Sequence, residues 1–148
     1  MRINQSEVSM PELSETEMRI LSVLEELEYE NVPAMMNTVM QPAGDVGELA
    51  EMQWALENLV QRDYAIMTMD LDSSGKFRRL SKDESMEVIA DLRSGLRFNG
   101  DRTLWIDTRR KGPPFGLAFP FIVSTHSGRV KGREILEERG YQWWRAEK

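Results

Sequence analysis

The residue types that most often carry enzyme chemistry are scarce in this chain. It has no cysteine, and His126 is its only histidine. A zinc site needs several Cys or His ligands, and a serine triad needs a histidine held between a nucleophile and an orienting acid. No suitably spaced partners surround His126. Because it stands between Thr125 and Ser127, just before a predicted helix, we expect it to belong to the capping region of that helix.

Paired carboxylates are the remaining candidates for acid–base work. Asp70 lies close to Asp72 in the sequence, and Asp101 lies close to Asp107. Pairs of this kind are expected by chance in a chain with 25 acidic residues. The glycine clusters also lack the phosphate-loop and dinucleotide-binding patterns. The sequence therefore predicts a protein that is not an enzyme, with no catalytic residues, no cofactor and no metal.

Charge is distributed unevenly along the chain. Residues 1–70 contain 14 acidic and 3 basic side chains, a net charge of −11, whereas residues 71–148 contain 11 acidic and 16 basic side chains, a net charge of +5. Such asymmetry is typical of an anion-binding face, or of two surfaces that attract each other within or between chains.

The hydropathy pattern predicts a cytoplasmic protein without a membrane segment. The longest apolar stretches, such as residues 117–123, are far too short to cross a bilayer. Residues 1–10 lack the apolar core of a signal peptide.

Three helices are predicted in the first half of the chain. Ser14 and Glu17 form a capping box at the start of the first helix. Asn31 caps a short second helix, which ends before Pro42 because the residue preceding a proline avoids helical geometry. Asp45 begins the third helix, whose buried stripe repeats at helical spacing.

A hairpin and a less regular region follow the third helix. Residues 65–71 alternate as a strand does, residues 72–75 form a turn, and residues 76–80 return as a second strand. Ser81 then caps a fourth helix. Residues 117–125 are strand-prone but contain Pro120, which predicts an edge strand or a bulge. A last helix covers about residues 127–139.

This order of elements resembles the winged helix-turn-helix regulators of bacteria. The segment ALENLVQRDYAIMTMDLDSSGKFRRLS, residues 55–81, carries most of the likeness. In that family the third helix leads through a small turn into the first wing strand, and a hydroxyl residue after the second wing strand opens the next helix, where Ser81 stands here. Residues 122–140 look like a second strand-to-helix exit of the same kind.

The resemblance implies an α+β fold with a winged helix-turn-helix, meaning three helices and a β-hairpin wing. We expect an N-terminal tail at 1–12, the winged helix-turn-helix domain at 13–93, and a C-terminal α/β extension at 94–148. We expect this strand–helix extension to pack on the same domain or to extend it.

The resemblance also implies a DNA-binding transcription regulator whose third helix lies in the major groove of double-stranded DNA. Glu48, Glu51 and Glu57 on that helix would oppose close approach to phosphates. The wing and the C-terminal half would therefore have to carry the phosphate contacts. The basic residues expected to make them are Lys76, Arg78, Arg79, Arg109, Arg110, Lys111, Arg129, Lys131 and Arg133.

The alternative is a winged-helix module for protein–protein contact or oligomerisation, without DNA binding. Its candidate interface residues are large and apolar: Trp54, Met35, Met36, Trp143 and Trp144. Trp54 lies off the main buried stripe of the third helix, so it either packs on a neighbouring element or anchors a partner. The charge asymmetry and the aromatic C-terminal run separately predict a homodimer.

Overall fold

The computed structural model describes residues 12–71, 77–107 and 120–145. Its elements in chain order are α1 (Glu15–Leu27), β1 (Tyr29–Asn31), α2 (Val32–Val39), α3 (Val46–Gln61), β2 (Ala65–Leu71), β3 (Phe77–Arg79), α4 (Lys82–Ala90), a 3₁₀ turn (Leu92–Ser94), β4 (Leu96–Asn99), β5 (Leu104–Asp107), β6 (Phe121–Ser124) and α5 (His126–Arg139). The fold is mixed α+β, and its sheets are antiparallel.

The helices begin where the capping residues predict. Ser14 Oγ accepts a hydrogen bond from the Glu17 backbone N–H at 3.1 Å, and the Glu17 carboxylate accepts one from the Ser14 N–H. The Asn31 side chain accepts from the Ala34 N–H at 2.8 Å. Asp45 caps α3 in the same manner. These bonds satisfy backbone donors that would otherwise be unpaired at each helix start.

The larger sheet has four strands in the order β1–β6–β2–β3. The predicted hairpin is present, but β3 pairs only with the second half of β2. The first half, Ala65–Thr68, pairs with β6, which on its other edge pairs with β1. The prediction of an edge strand or a bulge from Pro120 was wrong, because Pro120 precedes β6 and removes no ladder donor from it.

Helix α5 packs closely on the rest of the fold at two glycines, Gly128 against Tyr64 after α3 and Gly132 against α1. A Cβ atom on Gly128 would lie 1.8 Å from the Tyr64 carbonyl oxygen, and one on Gly132 would lie 2.7 Å from the Leu21 carbonyl oxygen. The Thr125 N–H donates to the same Tyr64 oxygen at 3.0 Å. The absence of a side chain at both glycines therefore sets how closely α5 approaches the rest of the fold.

A single apolar core holds these elements together. It takes residues from all five helices and from both sheets. Its largest fully buried side chains are Ile20, Leu21, Met35, Met36, Met52, Leu56, Leu59, Met67, Ile89, Leu96, Ile122 and Leu136. Because β6 and α5 contribute to this core, residues far apart in the sequence are buried together. Within the described ranges, no helix is both long enough and apolar enough to cross a membrane.

Candidate functional site

The described residues hold no group of three His, Asp or Glu side chains arranged to bind a metal ion. His126 is the first residue of α5 and is exposed. The N-cap itself is Thr125, whose hydroxyl accepts from the Gly128 N–H at 3.1 Å. Asp101 is exposed in the turn between β4 and β5. The side chains of its proposed partner Asp107, and of the pair Asp70 and Asp72, lie outside the described residues.

Most of the described basic candidates form ion pairs within the chain. Arg78 lies 3.8 Å from Glu84, and Lys131 lies 3.6 Å from Glu134. Arg133 donates through two nitrogens to one Glu25 oxygen, at 2.9 and 3.2 Å. The other candidates in the two loops, Lys76, Arg109, Arg110 and Lys111, lie outside the described residues.

Arg79 and Arg129 come together from different basic clusters. They line one cavity of about 210 Å³ beside the junction of α1 and β6. Glu25 and Glu28 line the same cavity, and Arg129 lies 3.8 Å from a Glu25 oxygen. Two carboxylates therefore offset the two guanidinium groups at the point where the clusters meet.

Glu84 shows how local bonds act on a single charge near β3. The Ser81 backbone N–H donates to the Glu84 carboxylate at 2.9 Å and lowers its pKa from the ordinary 4.5, and the nearby Arg78 adds to this effect. The stabilisation from this cap is therefore fully present above pH 4.5 and is lost as the pH falls through the lowered pKa.

Three of the five candidate interface residues are buried, and a fourth is half-buried. Met35 and Met36 are completely buried, Trp144 is only 4% exposed, and Trp143 is half-buried. The prediction that Met35, Met36 and Trp144 face a partner was wrong, because they belong to the core of the same chain, and Trp143 packs against that core. Of these five candidates, Trp54 alone is exposed, with an exposed fraction of 55%.

The aromatic C-terminal run packs against α1. The Trp144 indole N–H donates to Glu26 at 2.7 Å, and the Trp143 indole N–H donates to Ser22 at 2.9 Å. The Arg139 guanidinium stacks 3.9 Å from the centre of the Trp143 ring. Each indole therefore has a hydrogen-bond acceptor for its N–H within the chain, and the Trp143 ring also has a cation–π contact.

Trp54 belongs to an exposed apolar stripe on α3. Val46, Ala50 and Trp54 are spaced four residues apart, which places them on one side of the helix. All three are exposed, with Val46 at 65%. The opposite side of α3 is buried in the core through residues such as Met52 and Leu56. This stripe with its flanking acids, Glu51 and Glu57, is called the α3 face below.

The α3 face carries negative charge without a basic residue of its own. The sequence of α3, VGELAEMQWALENLVQ, has three glutamates and no lysine or arginine. Glu51 is exposed and accepts a hydrogen bond from Thr16, and Glu57 is partly exposed with no ion pair among the described residues. The face therefore presents an indole and apolar carbon between carboxylates.

The β4–β5 hairpin contacts the start of α3. The Trp105 indole N–H donates to Glu48 at 2.8 Å, and the second Glu48 oxygen accepts from the Ala43 N–H. The ring of Phe98 lies against Gly44, where an added Cβ would be only 2.7 Å away. Asn37 of α2 clamps the hairpin, because it both accepts from the Trp105 N–H and donates to the Trp105 carbonyl.

The outer side of this hairpin carries basic residues that the sequence argument missed. Arg97 lies directly opposite Ile106 in the strand register, and both are exposed. Arg93 and Arg102 are exposed on the segments that flank β4. The alternation of Leu96, Arg97, Phe98 and Asn99 was the available signal, since it marks a strand with one buried side. Arg93, Arg97, Arg102 and Ile106 are called the hairpin face below.

No protein-family model matches the chain, and no curated protein or solved structure shows significant similarity to it.

Proposed function

We propose that the protein is a winged-helix module for protein–protein contact, and that the α3 face is the surface that meets the partner. The single observation that carries the proposal is the exposure of Trp54, at 55%, on an acidic helix with no basic residue. Buried aromatic anchors dominate the binding energy of protein interfaces, and an exposed tryptophan between charges is suited to become one.

The winged-helix part of the proposal rests on the order of the elements. Helices α1, α2 and α3 are followed by β2 and by antiparallel partner strands. Two strands are suited to be the second wing strand. One is β3, which follows β2 directly, and the other is β6, which leads through Thr125 into α5.

Two features argue against an α3 that reads DNA bases. A recognition helix enters the major groove with its N-terminal residues. Here Trp105 binds Glu48 in the first turn of α3, and Phe98 packs on Gly44 in the loop just before it. Further along α3, Glu51 and Glu57 would face DNA phosphates, which repel carboxylates. Both features are compatible with a protein partner, for which carboxylates set specificity and an indole supplies contact area.

A second candidate function is DNA binding through the basic wing and the C-terminal half. The observation in its favour is that Arg79 and Arg129, from two separate clusters, line one cavity. Double-stranded DNA would then contact phosphate-binding residues away from α3. Glu25 and Glu28 in the same cavity weaken this candidate.

Fluorescence anisotropy with a labelled mixed-sequence DNA duplex tests the proposal. At about 50 mM salt we expect no binding tighter than the non-specific range of roughly 10⁻⁴ to 10⁻⁶ M. We also expect Trp54→Ala to leave any residual affinity unchanged, because α3 is not the contact.

Tight binding that weakens steeply with salt and is reduced by Trp54→Ala would overturn the proposal. Tight binding lost in the double variant Arg79→Gln and Arg129→Gln would overturn it in favour of the second candidate. The matched control is the double variant Arg93→Gln and Arg102→Gln. It also removes two positive charges, but from the hairpin face.

A further inference from the structure

We infer that the α3 face binds the hairpin face of a second copy of this chain, so that the protein forms a symmetric dimer. The inference rests on the proposed function and names its partner. The two faces are complementary in charge, since the α3 face is acidic around Trp54 and the hairpin face is basic around Ile106.

The two faces carry charges of opposite sign. Glu51 and Glu57 on the α3 face have no arginine or lysine on their own helix. On the hairpin face, Arg93, Arg97 and Arg102 form no ion pair among the described residues. By contrast, Arg133 and Arg139 of α5 are paired with acids of α1. The charges that are not paired within the chain are therefore of opposite sign on the two faces.

The apolar centres of the two faces also correspond. Trp54 and Val46 are among the few large apolar side chains that the described structure exposes, and Ile106 is another, at 36%. An arginine directly across the strand from Ile106 is suited to stack on an indole ring, while Ile106 packs beside it. An apolar centre with charged groups around it is the usual anatomy of a protein interface.

The position of the two faces suits a symmetric dimer. Phe98 and Trp105 pack the inner side of the hairpin on the loop and first turn that begin α3. The two faces are thus carried by elements in direct contact, with Asn37 holding the hairpin in place. In a twofold dimer each copy offers both faces, so the acidic–basic contact is made twice.

Charge-reversal variants test this arrangement. The oligomeric state of each full-length variant is measured by sedimentation velocity over a micromolar concentration range. We expect the wild-type chain to dimerise, and we expect both Glu57→Arg and Arg97→Glu to weaken dimerisation by at least about tenfold. When the two variants are mixed, both contacts become acidic–basic again, and we expect a 1:1 heterodimer. Glu137→Arg, at an exposed position of α5, is the control for net charge, and we expect it to dimerise as the wild-type chain does.

Several results would overturn the inference. A wild-type chain that stays monomeric would do so, as would a dimer that both charge variants leave intact, or two weakened variants that do not associate when mixed. If Trp54→Ala breaks the dimer and Arg97→Glu does not, the α3 face binds another surface of the second copy. The inference then fails while the proposed function stands. That function is overturned by a different result, namely tight binding of duplex DNA that depends on Trp54 or on Arg79 and Arg129.

Discussion

Gly128→Ala is expected to lower the free energy of unfolding by about 3 kcal/mol or more. The added methyl group would lie 1.8 Å from the Tyr64 carbonyl oxygen, which is backbone and has little freedom to move. That oxygen also accepts the Thr125 N–H at 3.0 Å, so a shift of α5 would strain the bond that joins it to the end of α3. The better helix propensity of alanine, worth up to about 1 kcal/mol, offsets only part of this cost. Urea denaturation followed by circular dichroism measures the change.

Gly100→Ala is the matched control for this substitution. Nothing lies within 4 Å of a Cβ added there, and Gly100 does not have the positive φ that glycine favours. We expect its stability to stay within about 0.5 kcal/mol of the wild-type value. Equal unfolding midpoints for the two variants would contradict the close packing of α5 described above.

Trp144→Ala is expected to cost about 3 kcal/mol of stability. The indole is 4% exposed and donates to Glu26 at 2.7 Å, so its removal leaves a cavity and takes from that carboxylate one of its two donors, the other being the Gln142 N–H. The Trp144 carbonyl also accepts from Arg19 at 2.7 Å, which fixes the segment on α1. Thermal and urea unfolding of the variant measure the loss.

Trp54→Ala is the control of the same residue type. Its side chain is 55% exposed and belongs to no buried cluster, so we expect a stability change within about 0.5 kcal/mol. If Trp54→Ala destabilised the fold as much as Trp144→Ala does, Trp54 would be a structural residue and the α3 face would lose its anchor.

The helix starts could be predicted because their signals are local. The capping box of Ser14 with Glu17 and the cap at Ser81 are both confirmed, and the structure shows that Ser81 also forms a capping box with Glu84. The pairing of β6 between β1 and β2 is different, since it joins residues near position 30 and position 66 to residues near position 122. No spacing rule links segments so far apart. Pro120 predicted an edge strand, but it lies just before β6 and takes no part in the pairing of that strand.

The candidate site was harder to predict, because composition does not distinguish internal from external contacts. Trp143 and Trp144 are aromatic and near the chain end, as interface anchors often are, yet Ser22 and Glu26 of α1 supply their hydrogen-bond partners. Met35 and Met36 are fully buried on a short helix that contacts α1, β1 and β5. Burial of this kind depends on tertiary packing, which helix periodicity alone does not reveal.

The basic clusters show the same limit for charge. Arg133 was a candidate phosphate contact, but it forms a two-nitrogen contact with Glu25, a residue 108 positions away in the sequence. The acidic and basic halves therefore attract each other partly within one chain, as the alternative interpretation of the charge asymmetry allowed. The hairpin face stands out only after those internal pairs are known.

The most direct test of the α3 face is ¹⁹F NMR of the protein with its four tryptophans replaced by 5-fluorotryptophan, assigned by single Trp→Phe variants. We expect the Trp54 resonance to shift or broaden as the protein concentration rises, because the α3 face is then covered by protein. The Trp105, Trp143 and Trp144 resonances should stay constant, and duplex DNA should move none of the four. A Trp54 resonance that responds to DNA and is indifferent to protein concentration would contradict the assignment of α3 to protein–protein contact.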